Sequence, residues 1–126
     1  MGLVETEIIL INPKKSDLAP VRVKALADTG STYLVIPEHI SNQLELSDFG
    51  EKEVTLADGT NKMIPYRGPV EVKFKNRMGL FGAVIMGDQV LLGAIPMEDM
   101  DLVAVPKTRT VEINPANPNY AAGLAK

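Results

Sequence analysis

One carboxylate stands where an apolar strand breaks into a turn. Ala25-Leu26-Ala27 leads into Asp28-Thr29-Gly30-Ser31-Thr32, and Leu34-Val35-Ile36 follows. Apolar runs on both sides read as two buried strands, which puts Asp28 at the end of the first. A carboxylate there is costly to desolvate unless something compensates it. Thr29 and Ser31 offer hydroxyl donors, and Gly30 lets the chain turn or pass close to another chain. A carboxylate so held can take up and hand on protons. The plain alternative is an Asx-turn, with Asp28 bonding its own backbone. Three residues are too weak a pattern to decide, so the rest of the chain must.

The other polar candidates read more simply. His39 is the only histidine and falls on a short surface helix, as a solvated side chain. Glu98, Asp99 and Asp101 form an acidic cluster without a recognisable ligand loop, which reads as a solvated face, and no metal is expected. Asp58 reads as a turn residue. Gly79, Gly82 and Gly87 lack the strand–glycine–helix context of a phosphate loop. No cofactor is expected.

Strands must position Asp28. Val21, Val23, Ala25 and Ala27 alternate with Arg22 and Lys24, the period of a half-buried strand. Before it, Glu7 to Ile11 reads as a strand stopped by Asn12-Pro13. After Ile36, Pro37 and Glu38 suit a helix start, and Ile40 and Leu44 give that helix an apolar face. Val54 to Ala57 runs into Asp58-Gly59 and returns from Thr60 to Ile64, a hairpin signal of the type I′ kind. Pro65 predicts an edge or a bend in the returning strand. Val70, Val72 and Phe74 alternate with charged residues, and Asn76 to Gly79 reads as a turn. Leu80 to Met86 is an apolar strand interrupted by Gly82. Val90 to Ala94 is a short apolar strand ending at Gly93, followed by one helical turn at Pro96 to Met100. Leu102 to Val105 and Val111 to Ile113 complete a mostly β, barrel-like arrangement.

The chain has 126 residues, 45% apolar and 23% charged, with a net charge of −3, which suits one domain. No basic stripe invites nucleic acid. No apolar run approaches the ~20 residues that span a bilayer. The N-terminus lacks the basic start of a signal peptide. With no cysteine there is no thiol nucleophile or disulfide framework, which suits a cytoplasmic protein.

Three features now stand in order: a strand ending in Asp28-Thr29-Gly30-Ser31, an Asp58-Gly59 hairpin about thirty residues later, and a buried strand ending in Leu91-Leu92-Gly93. This order resembles the retropepsin family of aspartic proteases over residues 5–113. The resemblance implies a single-domain acid-protease β-barrel with one or two short helices, in a domain spanning 1–113 with a loosely ordered tail at 114–126. It implies Asp28 as the catalytic carboxylate. Thr29 would tie two catalytic loops across a two-fold axis, Gly30 would let them approach, and Ser31 would bond the outer carboxylate oxygen. Ala57, Asp58, Gly59 and Thr60 would form the substrate flap. Leu91, Leu92 and Gly93 would pack beneath the catalytic loop. Gly59 is a single glycine where viral flaps are glycine-rich, and Ala94 stands where viral enzymes often carry a charge.

Amide hydrolysis without thiol or metal needs an activated water and a proton donor, and two carboxylates sharing a proton supply both. One Asp-Thr-Gly per chain means that the second carboxylate comes from a second copy. The expected protein is therefore a homodimeric aspartic endopeptidase acting on peptide or protein substrate, with contact added by terminal strands at 5–11 and 110–113. The rival is a catalytically inactive dimeric peptide-binding or scaffolding module of the same fold. A third reading is a monomeric β-barrel whose Asp28 is only structural.

Overall fold

The computed structural model describes residues 4–125; Met1 to Leu3 of the expected domain and Lys126 of the expected tail lie outside the described residues. Nine strands and two short helices follow in order: β1 (Val4–Ile11), β2 (Val21–Ala27), β3 (Leu34–Ile36), α1 (Glu38–Gln43), β4 (Ser47–Thr55), β5 (Asn61–Phe74), β6 (Arg77–Ile85), β7 (Val90–Leu92), α2 (Ala94–Asp99), β8 (Leu102–Val105) and β9 (Thr110–Ile113). Burial in β1 and β2 follows the alternation of the sequence: Val4, Ile8, Leu10, Val21, Ala25 and Ala27 point inward, Glu5, Glu7, Arg22 and Lys24 outward.

The main sheet runs β1-β2-β7-β3-β6-β5-β4, and β1 also pairs with β5. That extra pairing closes six strands into a barrel and leaves β4 as a seventh, hydrogen-bonded only to β5. Closure covers the edge of β1 at residues 9–11 and leaves β4 with one free edge. Ile8, Leu10, Leu34, Ile36, Val70, Val72 and Leu92 fill the interior. The strands carrying the site meet at the barrel's centre. β7 pairs parallel with β2 and antiparallel with β3, so Ala27 lies beside Leu92 and Leu34 beside the same residue on the other side.

Several expectations change in detail. The Asp58-Gly59 turn is not type I′, which needs positive φ at both central residues. The Gly59 amide donates to the Leu56 carbonyl, the Leu56 amide donates to the Thr60 carbonyl, and only Gly59 has positive φ, at 87°. This is a type I turn over Ala57-Asp58 closed by a glycine bulge. Pro65 keeps one of its two expected roles, a local edge inside β5. It lies opposite Glu51 of β4, while pairing with β6 begins one residue later at Tyr66, so the missing N–H falls where β5 has a neighbour on one side only. The expected turn at 76–79 is a two-residue turn at Lys75-Asn76, with Gly79 already paired in β6. Gly82 does not interrupt β6 either: a Cβ there would overlap the Tyr66 ring, so the glycine admits that ring.

Buried and half-buried polar side chains tie chain connections to the barrel. Asn12 is 4% exposed; its Nδ2 donates to the Leu44 carbonyl at 2.9 Å and its Oδ1 accepts from the Lys14 amide, tying the β1–β2 connection to the end of α1. Asp101, expected on a solvated face, instead accepts from Asn114 Nδ2, Asn117 Nδ2 and the Ala122 amide. Arg77, 3% exposed, donates to the Asn117 carbonyl. These contacts fasten the segment after β9 back onto the barrel. Of the terminal strands, β1 gives its edge at residues 9–11 to β5, and β9 is paired on one side with β8.

Candidate active site

The site is built on the β2–β3 connection. The Asp28 amide donates to the Leu92 carbonyl at 2.9 Å, carrying the β2–β7 pairing one residue past the end of β2. The Ser31 amide then donates to the Asp28 carbonyl at 3.0 Å, closing the turn. Asp28 Oδ1 accepts from the Gly30 amide at 3.0 Å, and the Ser31 hydroxyl approaches Oδ2 at 3.5 Å. The Asx-turn and the expected Ser31 contact therefore coexist: one carboxylate oxygen fixes the loop and the other faces a hydroxyl. Asp28 is half-buried, and Thr29 and Gly30 are exposed. The Thr29 hydroxyl makes no hydrogen bond among the described residues.

The start of α2 holds the far side of the loop. The amides of Gly93, Ala94 and Ile95 donate to the carbonyls of Tyr33, Ser31 and Thr32 at 3.1, 2.8 and 2.9 Å. A Cβ on Gly93 would stand 2.7 Å from the Ser31 carbonyl oxygen, so only glycine allows this approach. Leu92 is fully buried beneath the loop, whereas its neighbour Leu91 faces the other way.

Leu91 faces a cleft of about 550 Å³ that runs from Gly30 and Ser31 to the β4 arm of the hairpin and the 84–89 segment. Val35, Leu56, Val84, Met86 and Leu91 give it an apolar surface, set among hydroxyls such as Ser31 and Thr55 and the polar ends of Glu53 and Gln89, the usual character of a ligand site. Of the four predicted flap residues Ala57 lines the cleft; Asp58, Gly59 and Thr60 lie at the exposed tip beyond it. Asp58 keeps the role of a turn residue. The Thr60 hydroxyl and then its amide bond Asp58 and hold its carboxyl below the ordinary value. His39 is exposed on α1, outside the cleft lining. Among the described residues no group of three or more His, Cys, Asp or Glu could hold a metal ion, and no helix is long and apolar enough to cross a membrane.

Sequence reasoning missed the cleft's other wall. Tyr33, Glu53, Met86 and Gln89 come together only through the β3–β6 and β4–β5 pairings, and no local motif marks them.

No protein-family model matches the chain, and no curated protein matches it. Among solved structures, the chain is similar to the EIAV protease complexed with an inhibitor, with a TM-score of 0.57 and 20% identity, over 78% of this chain and 88% of that one. It is also similar to the retroviral protease-like domain of Ddi1 from Leishmania major, with a TM-score of 0.47 and 12% identity, over 90% of this chain and 89% of that one. The likeness to the EIAV enzyme shows the fold: the barrel is retropepsin-like.

Proposed function

We propose that the chain is an aspartic endopeptidase that cuts extended peptides with a carboxylate dyad formed between two copies. The observation that carries this reading is the setting of Asp28. Its loop is clamped by Leu92 and the start of α2, its Oδ2 faces the Ser31 hydroxyl, and its neighbours Gly30 and Ser31 open onto the cleft. A carboxylate held this firmly is poised for proton transfer, not for bearing load in the barrel.

The chemistry needs one ionised and one protonated carboxyl. The ionised Asp28 takes a proton from a water whose oxygen attacks the peptide carbonyl carbon. The protonated Asp28 of a second copy gives its proton to the carbonyl oxygen, leaving a neutral tetrahedral diol. The carboxyl that took the water proton then gives a proton to the amide nitrogen while the other carboxylate takes one from a diol hydroxyl; the C–N bond breaks, a carboxylic acid and an amine leave, and the dyad again holds one proton. Thr29 and Gly30, exposed on a single chain, are the residues that a second loop would cover. The hairpin around Asp58-Gly59, whose arm from Glu53 to Ala57 lines the cleft, closes over the peptide and excludes water. The cysteine-free chain is read as cytoplasmic.

A mixed-sequence peptide library tests the reading. The native chain cuts a subset of peptides and Asp28→Asn cuts none. Absence of cleavage by the native chain, with peptide binding retained, would instead support a non-catalytic peptide-binding module.

A further inference from the structure

A second hollow, of about 270 Å³, lies on the other side of Tyr33 from the cleft. Tyr33 lines both, and β4 runs along both, with Glu53 to Ala57 at the cleft and Lys52 at the hollow. Apart from Lys52, its lining is apolar and aromatic: Tyr66, Phe81, Leu80 and Ile95. Leu80 and Ile95, which line the hollow, are 59% and 45% exposed, so its apolar lining is open to solvent. Lys52 Nζ sits 4.8 Å from the Tyr66 ring centroid and 5.8 Å from that of Tyr33, and the two rings meet edge to face at 6.3 Å. Among the described residues no carboxylate pairs with Lys52.

A half-buried lysine whose ammonium lies near two aromatic rings beside an apolar floor, without a paired carboxylate among the described residues, is a site suited to a carboxylate on an apolar stem. β4 is also the strand with a neighbour on one side only. An extended peptide that enters the cleft can continue along it by strand-like pairing and reach Lys52. We infer that Lys52, with Tyr33 and Tyr66, selects substrates carrying a glutamate or aspartate away from the scissile bond, its stem lying on Leu80 and Ile95. The inference rests on the peptide-cleaving reading for its substrate, but its binding test does not need cleavage.

Two measurements separate the two ideas. Labelled peptides with Glu, and with Gln, placed at each position in turn are titrated against the Asp28→Asn protein, which cannot cut them. The same peptides are offered to the native enzyme for cleavage. The expected result is one position where Glu binds and is cut about fivefold better than Gln, the worth of a half-exposed ion pair. Lys52→Met abolishes that preference, Lys52→Arg keeps it, and Lys52→Glu turns it toward Lys at the same position. Equal affinity for Glu and Gln peptides at every position overturns the inference. So does a preference that survives Lys52→Met, or one found only for a carboxylate at the peptide's C-terminus. If no peptide is cut but the Glu preference appears in binding, the Lys52 site stands and the proteolytic reading falls. If the Lys52→Met protein does not fold, the Glu-against-Gln comparison on the unaltered site still decides.

Discussion

The Gly93 amide donates to the Tyr33 carbonyl at 3.1 Å, and a Cβ on Gly93 would collide with that same oxygen. The loop bearing Asp28 and the start of α2 are thus locked by an approach that only glycine permits. Gly93→Ala must push the two segments apart and loosen three hydrogen bonds at once. The expected loss is about 3 kcal/mol of stability, at the upper end for overpacking a tight contact. Chemical denaturation checks it, and proteolysis should fall further than the folded fraction does because the loop loses its register.

Asp28→Asn should fold as the parent does, since the amide preserves shape and can still accept from the Gly30 amide at Oδ1. It cannot take a proton from water. The expected loss of kcat/KM is about 10⁴-fold, the upper range for general acid–base chemistry. Activity within tenfold of the parent, measured on the same peptide, would remove Asp28 from the mechanism.

Asp101 makes one end of the chain sensitive to acid. The Asn114 side chain, then the Ala122 amide and the Asn117 side chain, with Arg77 nearby, hold its carboxyl below its ordinary value of 3.8. A group whose folded value is depressed stabilises the fold in its ionised form, fully so above the unfolded value, and that contribution is lost as pH falls through the lowered one. Protection of the Asn117 and Ala122 amides, taken relative to the intrinsic exchange rate at each pH, should therefore fall below about pH 4, before that of the barrel core. Asp101→Asn should show the lower protection already at neutral pH. Unchanged protection in both would mean that the carboxylate does not hold this segment.

The hairpin tip should tighten on ligand binding. Ala57 to Thr60 are exposed, and Asp58 and Thr60 bond chiefly to each other. Little apolar surface pins them, so their amides should exchange fast in the free protein. A transition-state mimic of the statine type should slow exchange across 54–60, while the Lys75-Asn76 turn stays unchanged as an internal control.

Local periodicity carried most of what could be read without coordinates. Strands such as Val21–Ala27 declare themselves by alternation, and Asp28 declares itself by standing between two apolar runs. What stayed hidden depends on contacts far apart in the chain. Asn12 looks like a turn residue until it meets Leu44, thirty-two positions on. Asp101 looks solvated until the chain folds back over it. Gly82 looks like a break until Tyr66 crosses it. Asp58-Gly59 fits two kinds of turn, and only the backbone distinguishes them. Lys52 is one lysine among several until β4–β5 pairing sets it over Tyr66.

The active unit should be a homodimer. One chain supplies one Asp-Thr-Gly, and the dyad needs two carboxylates. A two-fold axis at the catalytic loops is the symmetric way to bring in the second. Thr29 and Gly30 stand exposed at that point, and the Thr29 hydroxyl has a donor to give. Further contact can come from the β1 edge over residues 4–8, which β5 does not cover, and from the outer edge of β9. The Ile9–Ile11 edge is already taken by β5, so this contact is smaller than the terminal strands alone suggest. Micromolar dissociation is the expected consequence. Sedimentation at high concentration should give about twice the chain mass of 13.6 kDa, and specific activity should fall on dilution. Thr29→Val, which removes the hydroxyl at constant shape, should raise the dilution midpoint about tenfold, in line with one lost hydrogen bond per copy. A clean monomer with constant specific activity at every concentration would rule out a dyad shared between copies.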